Sequence, residues 1–353
     1  MNFKDKLSLN SSYVFITFEI GPTHTGFESC INYCDKAHKS GADAIKIQMI
    51  DAERLISDKK QIFEYKILSK NKKNILNKKE ALFNILKRRE LKKNEIEKIK
   101  IFCDKKNIEF FATVLFKDDI DFLREIKCKS IKIASADINY YDLLIHAAKS
   151  KMNIQIDTGM SNISEIYNAV KIIKRYGNNN IIIHQCPTGY PAKLTSIDLR
   201  MITTLRNKFK YPVAFSDHSP GHEMDVAAVA LGAKLIEKTI TFDRSYPSVE
   251  HLMSIELNQL KEFVKIIRNT SIALGRENRF LSRFEIRRRN MVRRSAFFVN
   301  SQAKGTRIKD CKFEFKRPGT GVTPDQIKDV KNKKLKFTVK KDQMLRFSSL
   351  KKS

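Results

Sequence analysis

The sequence predicts an α/β fold, a (β/α)8 barrel of the TIM type followed by a small β-rich domain. Eight short runs of β-branched and apolar residues alternate with longer stretches in which apolar residues recur at helical spacing. Such alternation is typical of parallel strands joined by crossover helices, and a closing helix over 257–274 follows the eighth run. An open, doubly wound sheet is the alternative, because a count of strands does not establish closure. The predicted strands are 13–20, 44–48, 108–115, 130–135, 153–158, 180–186, 211–216 and 233–241.

The texture of the chain divides it into three parts. Residues 1–276 carry the predicted barrel, 277–294 a strongly basic linker helix, and 295–353 a small domain of short β-type runs separated by turn residues. Between the second and third strands, over 51–107, the alternation loosens. We expect two helices there, with a lysine-rich junction near 69–79.

Composition limits the classes of function. The chain has 353 residues, of which 42% are hydrophobic and 30% charged, so it has enough apolar residues for a core. It contains neither a long apolar run nor an apolar segment of signal-peptide type near its start, which predicts a cytoplasmic protein without a membrane partner. The six cysteines are scattered and are expected to be reduced. The net charge of +29 is spread over the chain without a nucleic-acid-binding motif, so we expect no nucleic-acid partner.

Polar residues collect where the predicted strands end. In a barrel these ends face the active-site mouth, and buried charges there need partners or a ligand. Lysines with hydroxyl groups suit a phosphate, whereas carboxylates and a histidine suit sugar hydroxyls, proton transfer or a metal. Taken singly, Lys46 and Lys238 are equally compatible with ordinary ion pairs, and Asp217 with a turn. The residues at these ends are Glu19, Lys46, Gln48, Lys132, Ser135, Asp137, Asp157, Thr158, Thr188, Tyr190, Ser216, Asp217, His218, Glu237, Lys238 and Thr239.

These residues lie in motifs that resemble the sialic acid synthase family. The stretch from Glu19 to Gly26, Glu-Ile-Gly-Pro-Thr-His-Thr-Gly, is similar to the family's Glu-Ile-Gly-x-Asn-His-x-Gly signature. In the tail, Lys304-Gly305 and Lys316-Arg-Pro-Gly-Thr-Gly321 resemble the antifreeze-like (SAF) domain of these enzymes. Further matches, in the same order along the chain, are Gly41-Ala-Asp-Ala-Ile-Lys-Ile-Gln48, Lys132-Ile-Ala-Ser135, Thr158-Gly-Met160, Ser216-Asp-His218 and Ala230-Leu-Gly-Ala-Lys-Leu-Ile-Glu-Lys238.

The resemblance implies an enzyme that condenses phosphoenolpyruvate with an N-acetylated hexose, such as N-acetylmannosamine or a 6-deoxy diacetamido sugar. The product is a nonulosonic acid for surface glycans, and phosphate is released. By resemblance, phosphoenolpyruvate is held by Lys46, Lys132, Ser135, Ser216 and Thr188. Glu19 and Glu237 contact the sugar and move protons, and His218 binds a divalent metal, manganese or magnesium. We expect substrate contacts from their neighbours at the strand ends as well, namely Gln48, Tyr190, Asp217 and Lys238.

The resemblance also implies a homodimer in which Arg317 reaches the barrel of the partner subunit. Three positions depart from the family's pattern. Thr239 stands where a second metal-binding histidine is usual, Asp157 where a serine helps to hold phosphate, and Thr23 where an asparagine precedes His24. Either His222, His251 or Asp157 completes the metal site, or the metal is weak or absent. The alternative function is that of a sugar-binding homologue without synthase activity.

Overall fold

The computed structural model describes residues 12–276 and 278–351. Contacts within the chain divide it into two compact units, Met1–Gly275 and Arg276–Ser353. Each unit has a hydrophobic core of its own, and the site described below lies in the first.

The first unit is a closed barrel of eight parallel strands. Its eight strands pair in the order in which they follow along the chain, and the first also pairs in parallel with the last, which closes the barrel and excludes the open sheet. The prediction of a (β/α)8 barrel is therefore confirmed. The strands are β1 (Phe15–Glu19), β2 (Ala44–Gln48), β3 (Ile62–Leu68), β4 (Ile75–Ala81), β5 (Glu109–Val114), β6 (Ser130–Ile133), β7 (Asn153–Asp157), β8 (Ile181–Gln185), β9 (Val213–Asp217), β10 (Leu235–Thr241) and β11 (Ile255–Glu256), of which β3 and β4 form a separate hairpin and β11 extends the sheet from β10.

Alternation along each strand decides which side chains enter the barrel. In β1, Ile16 and Phe18 pack in the large core between strands and helices, whereas Phe15 joins a small cluster with residues such as Phe111 and Leu235. Successive side chains of a strand point to opposite faces, so Phe15, Thr17 and Glu19 share the inner one. The barrel interior is therefore apolar at the amino ends of its strands and charged at their carboxyl ends.

Helices cover the outside of the barrel. The last of them packs on the first strand, since the rings of Phe18 and Phe263 lie 5.9 Å apart. None of the described helices is long and apolar enough to cross a membrane. The helices of this unit are Phe27–Ser40, Ala52–Leu55, Leu82–Lys87, Lys93–Lys105, Lys117–Glu125, Tyr141–Ser150, Ile163–Arg175, Met201–Phe209, Glu223–Ala230 and Leu260–Leu274.

The segment between β2 and β5 differs from its prediction. The lysine-rich stretch near 69–79 is not a helix junction but the turn and second strand of the antiparallel hairpin β3–β4. The sequence of β3, Ile-Phe-Glu-Tyr-Lys-Ile-Leu, alternates as a strand should, and Lys72 takes the left-handed conformation that the turn needs. Facing charges support the pairing, with Glu64 Oε2 and Lys79 Nζ 3.5 Å apart. The density of lysines concealed this pattern.

The second unit is built around a short antiparallel hairpin. Its strands β12 (Ser295–Phe298) and β13 (Phe313–Lys316) are preceded by a helix, Arg283–Val292, within the segment predicted as a basic linker helix. A further helix spans Ile327–Val330. Ala296, Phe298 and Leu335 are buried in its core. The assignment of this unit as an antifreeze-like domain stays a prediction.

Replacing Phe263 by alanine is expected to destabilise the barrel. The side chain is buried between the last helix and β1, and truncation of a buried phenylalanine costs about 3–5 kcal/mol of unfolding free energy. Denaturant unfolding followed by circular dichroism measures the change. The control is Ile272→Ala on the same helix, where the side chain is 76% exposed and a change within about 0.5 kcal/mol is expected. Equal effects of the two substitutions would contradict the packing described.

Candidate active site

A cavity of about 360 Å³ opens at the carboxyl ends of the barrel strands, a size typical of small-molecule sites. Its floor consists of polar side chains from the strand ends, and one wall consists of apolar side chains from the hairpin and the helix that follows it. The polar residues are Glu19, Lys46, Gln48, Thr113, Lys132, Ser135, Asp157, Ser216, Asp217, His218, Glu237 and Thr239.

Glu237 joins the two lysines of the floor. Its Oε1 accepts from Lys132 Nζ at 2.7 Å and from Ser216 Oγ at 3.1 Å, and it forms an ion pair with Lys46 Nζ, 3.0 Å away. Burial opposes its ionisation, but the two ammonium groups outweigh burial and hold the pKa of Glu237 below its usual value. Glu237 is therefore a carboxylate at neutral pH.

The pKa of Glu19, in contrast, is shifted upward. Glu19 pairs with Lys46 and accepts from the backbone N–H of Gly21 at 2.5 Å, yet burial raises its pKa. Gly21 has to be glycine here, since a Cβ would lie 2.8 Å from Glu19 Oε1 and 2.9 Å from the backbone nitrogen of Gln48. Lys46 also donates to Thr113 Oγ1 at 3.2 Å. Burial alone would lower the pKa of Lys46, but Glu19, Glu237 and Asp157 raise it.

Asp157 contacts Lys132 from the neighbouring strand. Its Oδ2 lies 2.8 Å from Lys132 Nζ, while Oδ1 lies 3.6 Å from His184 Nδ1 and has no hydrogen-bond partner in the described part of the chain. Burial raises the pKa of Asp157 and lowers that of His184, whose Nε2 is 2.9 Å from Gln155 Oε1. His184 is consequently a neutral imidazole beneath the floor.

Lys238 does not line the cavity, although it was expected to bind substrate. Its side chain is fully buried on the other face of β10 from Glu237, as the two-residue period of a strand requires. There it pairs with Asp217, lies 3.3 Å from Asp225 Oδ2 and donates to the carbonyl oxygen of Ser219 at 2.6 Å. Lys238 therefore holds Asp217 and the turn after β9 in place.

His218 presents one ring nitrogen to its surroundings. Nδ1 is 2.8 Å from the carbonyl oxygen of Pro187, and because that oxygen can only accept, Nδ1 carries the hydrogen and Nε2 keeps its lone pair. Nε2 lies 4.0 Å from Cys186 Sγ, and the ring packs against that of Tyr190 at a tilt of 38°, with the ring centroids 4.7 Å apart. Burial lowers the pKa of His218 to about 4, so the imidazole is neutral.

A divalent metal bound by His218 stays a prediction. Across 12–276 and 278–351, no group of three His, Cys, Asp or Glu side chains is arranged to hold an ion. Thr239 and the three residues that could supply a second ligand have other surroundings. The Thr239 hydroxyl is 3.5 Å from Glu250 Oε2, Asp157 is paired with Lys132, His251 Nδ1 is 2.8 Å from Thr241 Oγ1, and His222 lines a different surface pocket.

The apolar wall comes from parts of the chain whose role the sequence did not indicate. Phe63 of the hairpin, Ile85 of the next helix and Val249 after β10 line it, together with two charged residues, Arg89 and Glu250. The side chain of Arg89 is buried and donates to the Val249 carbonyl oxygen at 3.3 Å, and its Nε has no hydrogen-bond partner among the residues described. Burial raises the pKa of Glu250 to about 7.

The cavity thus brings together most of the predicted residues. Three of the residues expected to bind substrate do not line it. Lys238 points to the other face of β10, Thr188 is exposed in the segment after β8, and Arg317 belongs to the second unit. Thr113 was missed, although it stands at the end of a predicted strand and pairs in register with Gln48. The predicted residues that line the cavity are Glu19, Lys46, Gln48, Lys132, Ser135, Tyr190, Ser216, Asp217, His218 and Glu237.

Comparison with protein families gives one match that covers most of the barrel. The model of the NeuB family matches residues 33–279. Among characterised relatives, N,N'-diacetyllegionaminic acid synthase of Legionella pneumophila is 31% identical over 335 residues, which are 94% of this chain and 92% of that protein. Pseudaminic acid synthase of Campylobacter jejuni (strain 81-176) is 29% identical, over 91% of this chain and 92% of its own.

A solved structure shares the fold at a similar level of identity. The N-acetylneuraminic acid (sialic acid) synthetase of Leptospira borgpetersenii, crystallised with citrate, superposes with a TM-score of 0.69 and 32% sequence identity. The match covers 79% of this chain and 92% of that one. At this level of identity, the two proteins resemble each other in sequence as well as in fold.

Replacing Glu250 by glutamine is expected to stabilise the protein in a pH-dependent way. The carboxyl pKa rises from 4.5 to about 7 on folding, so the folded chain keeps a proton that the unfolded chain releases between these values. The unfolding free energy of the natural chain therefore falls as the pH rises through this window, whereas glutamine does not titrate. A shift of one pKa unit corresponds to about 1.4 kcal/mol. Relative to the natural chain, the variant is therefore expected to gain about 3 kcal/mol of unfolding free energy above neutral pH and nothing near pH 4.5.

Urea unfolding at about pH 5 and about pH 8 measures this difference. Glu97→Gln, on the exposed face of the helix Lys93–Lys105, is the control and is expected to behave alike at both pH values. A stability difference between the Glu250→Gln variant and the natural chain that is the same at both pH values would show that burial does not hold a proton on Glu250.

Proposed function

The chain belongs to the NeuB family, which confirms its resemblance to the sialic acid synthases, and we propose that it condenses phosphoenolpyruvate with an N-acetylated hexose. The product is a nonulosonic acid, and phosphate is released. The observation that carries the proposal is the convergence of Lys46, Lys132, Ser216, Glu19 and Glu237 on one cavity, although they are far apart along the chain. Relatives named as synthases of diacetyllegionaminic and pseudaminic acid support it.

Phosphoenolpyruvate binds at the polar floor in this proposal. Its phosphate and carboxylate need several donors at fixed positions, and charge-assisted hydrogen bonds from ammonium groups are the strong ones. Lys46 and Lys132 lie within hydrogen-bond distance of the same carboxylate oxygen, so two cations flank one small volume. Ser135, Ser216 and Gln48 add neutral donors around it.

The sugar binds between this floor and the apolar wall. Phe63, Ile85 and Val249 offer a surface for acetamido methyl groups and for a deoxygenated carbon, while Glu250 and Arg89 offer hydrogen bonds to hydroxyl or amide groups. Such a wall suits N-acetylmannosamine or a 6-deoxy diacetamido hexose. An apolar wall with buried polar groups on it favours the acetamido sugars over plain hexoses.

The different environments of the two glutamates indicate their roles. The enol carbon attacks the sugar aldehyde and forms the new carbon–carbon bond, water adds to the cationic carbon left behind, and the tetrahedral product loses phosphate. Glu19, whose pKa burial raises, is suited to deliver a proton to the aldehyde oxygen, and Glu237, kept ionised between two lysines, to stabilise the cation and take a proton from water.

No step of this mechanism runs through a metal. The expected manganese or magnesium ion stays a prediction, and the Nε2 lone pair of His218 is the candidate ligand for it. Turnover with a chelator, and with each ion added back, tests it. Two further expectations stay predictions: the cytoplasmic location, and the homodimer in which Arg317 reaches the partner's barrel. Measurement of the molecular mass in solution tests the homodimer.

A sugar-binding protein without synthase activity is the second candidate. Asp157 and Thr239 favour it, because one places a carboxylate against Lys132 and the other leaves His218 without a second imidazole. Such a protein would bind the hexose in calorimetry yet leave phosphoenolpyruvate unchanged on long incubation.

Purified protein is expected to release inorganic phosphate only when phosphoenolpyruvate and an acetamido hexose are both present. The assay covers N-acetylmannosamine and a 6-deoxy diacetamido hexose, with and without added divalent metal, and mass spectrometry identifies the nine-carbon acid. Absence of phosphate release across a broad panel of acetamido hexoses would overturn the proposed activity.

Replacing Lys132 by alanine is expected to lower turnover by about 10²–10³-fold or more, because the substitution removes a buried cation from the proposed anion subsite. The matched control is Lys129→Ala, at an exposed position preceding the same strand, which should leave turnover unchanged. Thermal unfolding of both variants checks that they are folded. Undiminished turnover in the Lys132→Ala variant would contradict the role given to this lysine.

A further inference from the structure

The ammonium group of Lys132 is surrounded by three oxygen atoms of the protein. It donates to Glu237 Oε1 at 2.7 Å and to Ser216 Oγ at 3.3 Å, and it lies 2.8 Å from Asp157 Oδ2. A lysine has three N–H donors, of which two are used in hydrogen bonds, and the Asp157 carboxylate lies at ion-pair distance from the same nitrogen. A phosphate oxygen that takes the place of Asp157 beside Lys132 has to displace this carboxylate.

The charges of the floor point the same way. Lys46 and Lys132 share three carboxyl groups, those of Glu19, Asp157 and Glu237. An incoming dianion therefore meets cations that are already neutralised.

Of the three partners of Lys132, Asp157 is the one held least. Glu237 Oε1 is shared with Lys46 and Ser216, and Ser216 is fixed by its own bond to Glu237. Asp157 pairs with a lysine through Oδ2 alone, whereas Oδ1 has no hydrogen-bond partner in the described ranges and lies 3.6 Å from His184 Nδ1. The side chain also lines the open cavity, into which it can rotate.

We propose that Asp157 is an internal competitor for the phosphoryl subsite, displaced from Lys132 whenever a phosphate group binds. The proposal rests on the proposed function for the identity of the substrate, but its claim about affinity applies to inorganic phosphate alone. A competing carboxylate weakens the binding of phosphate and phosphoenolpyruvate. It also returns to Lys132 as the product phosphate leaves, so it favours release of that product.

Full-length protein carrying Asp157→Asn or Asp157→Ser tests this, with inorganic phosphate as the probe in titration calorimetry at one pH and one ionic strength. Each variant is expected to bind phosphate at least about tenfold more tightly than the natural chain, since a like charge has left the subsite. The matched control is Asp142→Asn, which removes a carboxylate from an exposed helix position paired with Lys117, and its phosphate affinity should stay unchanged.

Equal or weaker phosphate binding by both folded variants overturns the proposal. Loss of the folded barrel in both also overturns it, because Asp157 would then be a fixed structural partner of Lys132. The two proposals fail separately. If the natural chain turns over substrate but the variants do not bind phosphate more tightly, the role proposed for Asp157 is wrong and the synthase activity stands. If the variants bind phosphate more tightly but no sugar supports turnover, the role of Asp157 stands and the synthase activity is wrong.

Discussion

The pairing of β1 with β10 is the constraint on which the site depends. It joins two strands more than two hundred residues apart in the chain and places Glu19 and Glu237 on adjacent strands, with Lys46 beside them on β2. Buried charges are tolerated only where opposite charges lie within hydrogen-bond distance. Closure of the barrel supplies these neighbours, so the lysines and glutamates stabilise one another as a network. Without closure, the charges would lose partners that their burial requires.

Because the barrel is closed, the floor and the wall of the cavity come from different parts of the fold. The floor is carried by strand ends that the barrel fixes, which suits groups whose distances to a reacting atom have to be held. The wall comes from the hairpin, the helix Leu82–Lys87 and the segment after β10, none of which belongs to the barrel itself. Chemistry and selectivity are thus assigned to different parts of the fold, as is usual for this architecture.

Sequence patterns could predict the part of the structure that repeats. Strand alternation gave the barrel, and the position of polar residues at strand ends gave Glu19, Lys46, Lys132 and Glu237. The same two-residue period, applied within β10, would have separated Lys238 from Glu237, and applied to β5 it would have found Thr113. The contact between Asp157 and Lys132 depends on the register of β6 and β7, in which Lys132 pairs with Gln155, two residues before Asp157, and the sequence pattern does not fix that register. Arg89 and Glu250 lie outside any strand, where no period marks them.

The hairpin β3–β4 has a consequence for how this protein can change. Its two strands pair only with each other, and it meets the rest of the unit through a small cluster in which Phe63 and Tyr65 pack with Ile85 and Val249. An inserted module that is stabilised by its own ladder can be shortened, lengthened or exchanged without refolding the scaffold beneath it. Under the proposed function, substitutions confined to this insertion would change which sugar binds and leave the polar floor of the cavity unchanged.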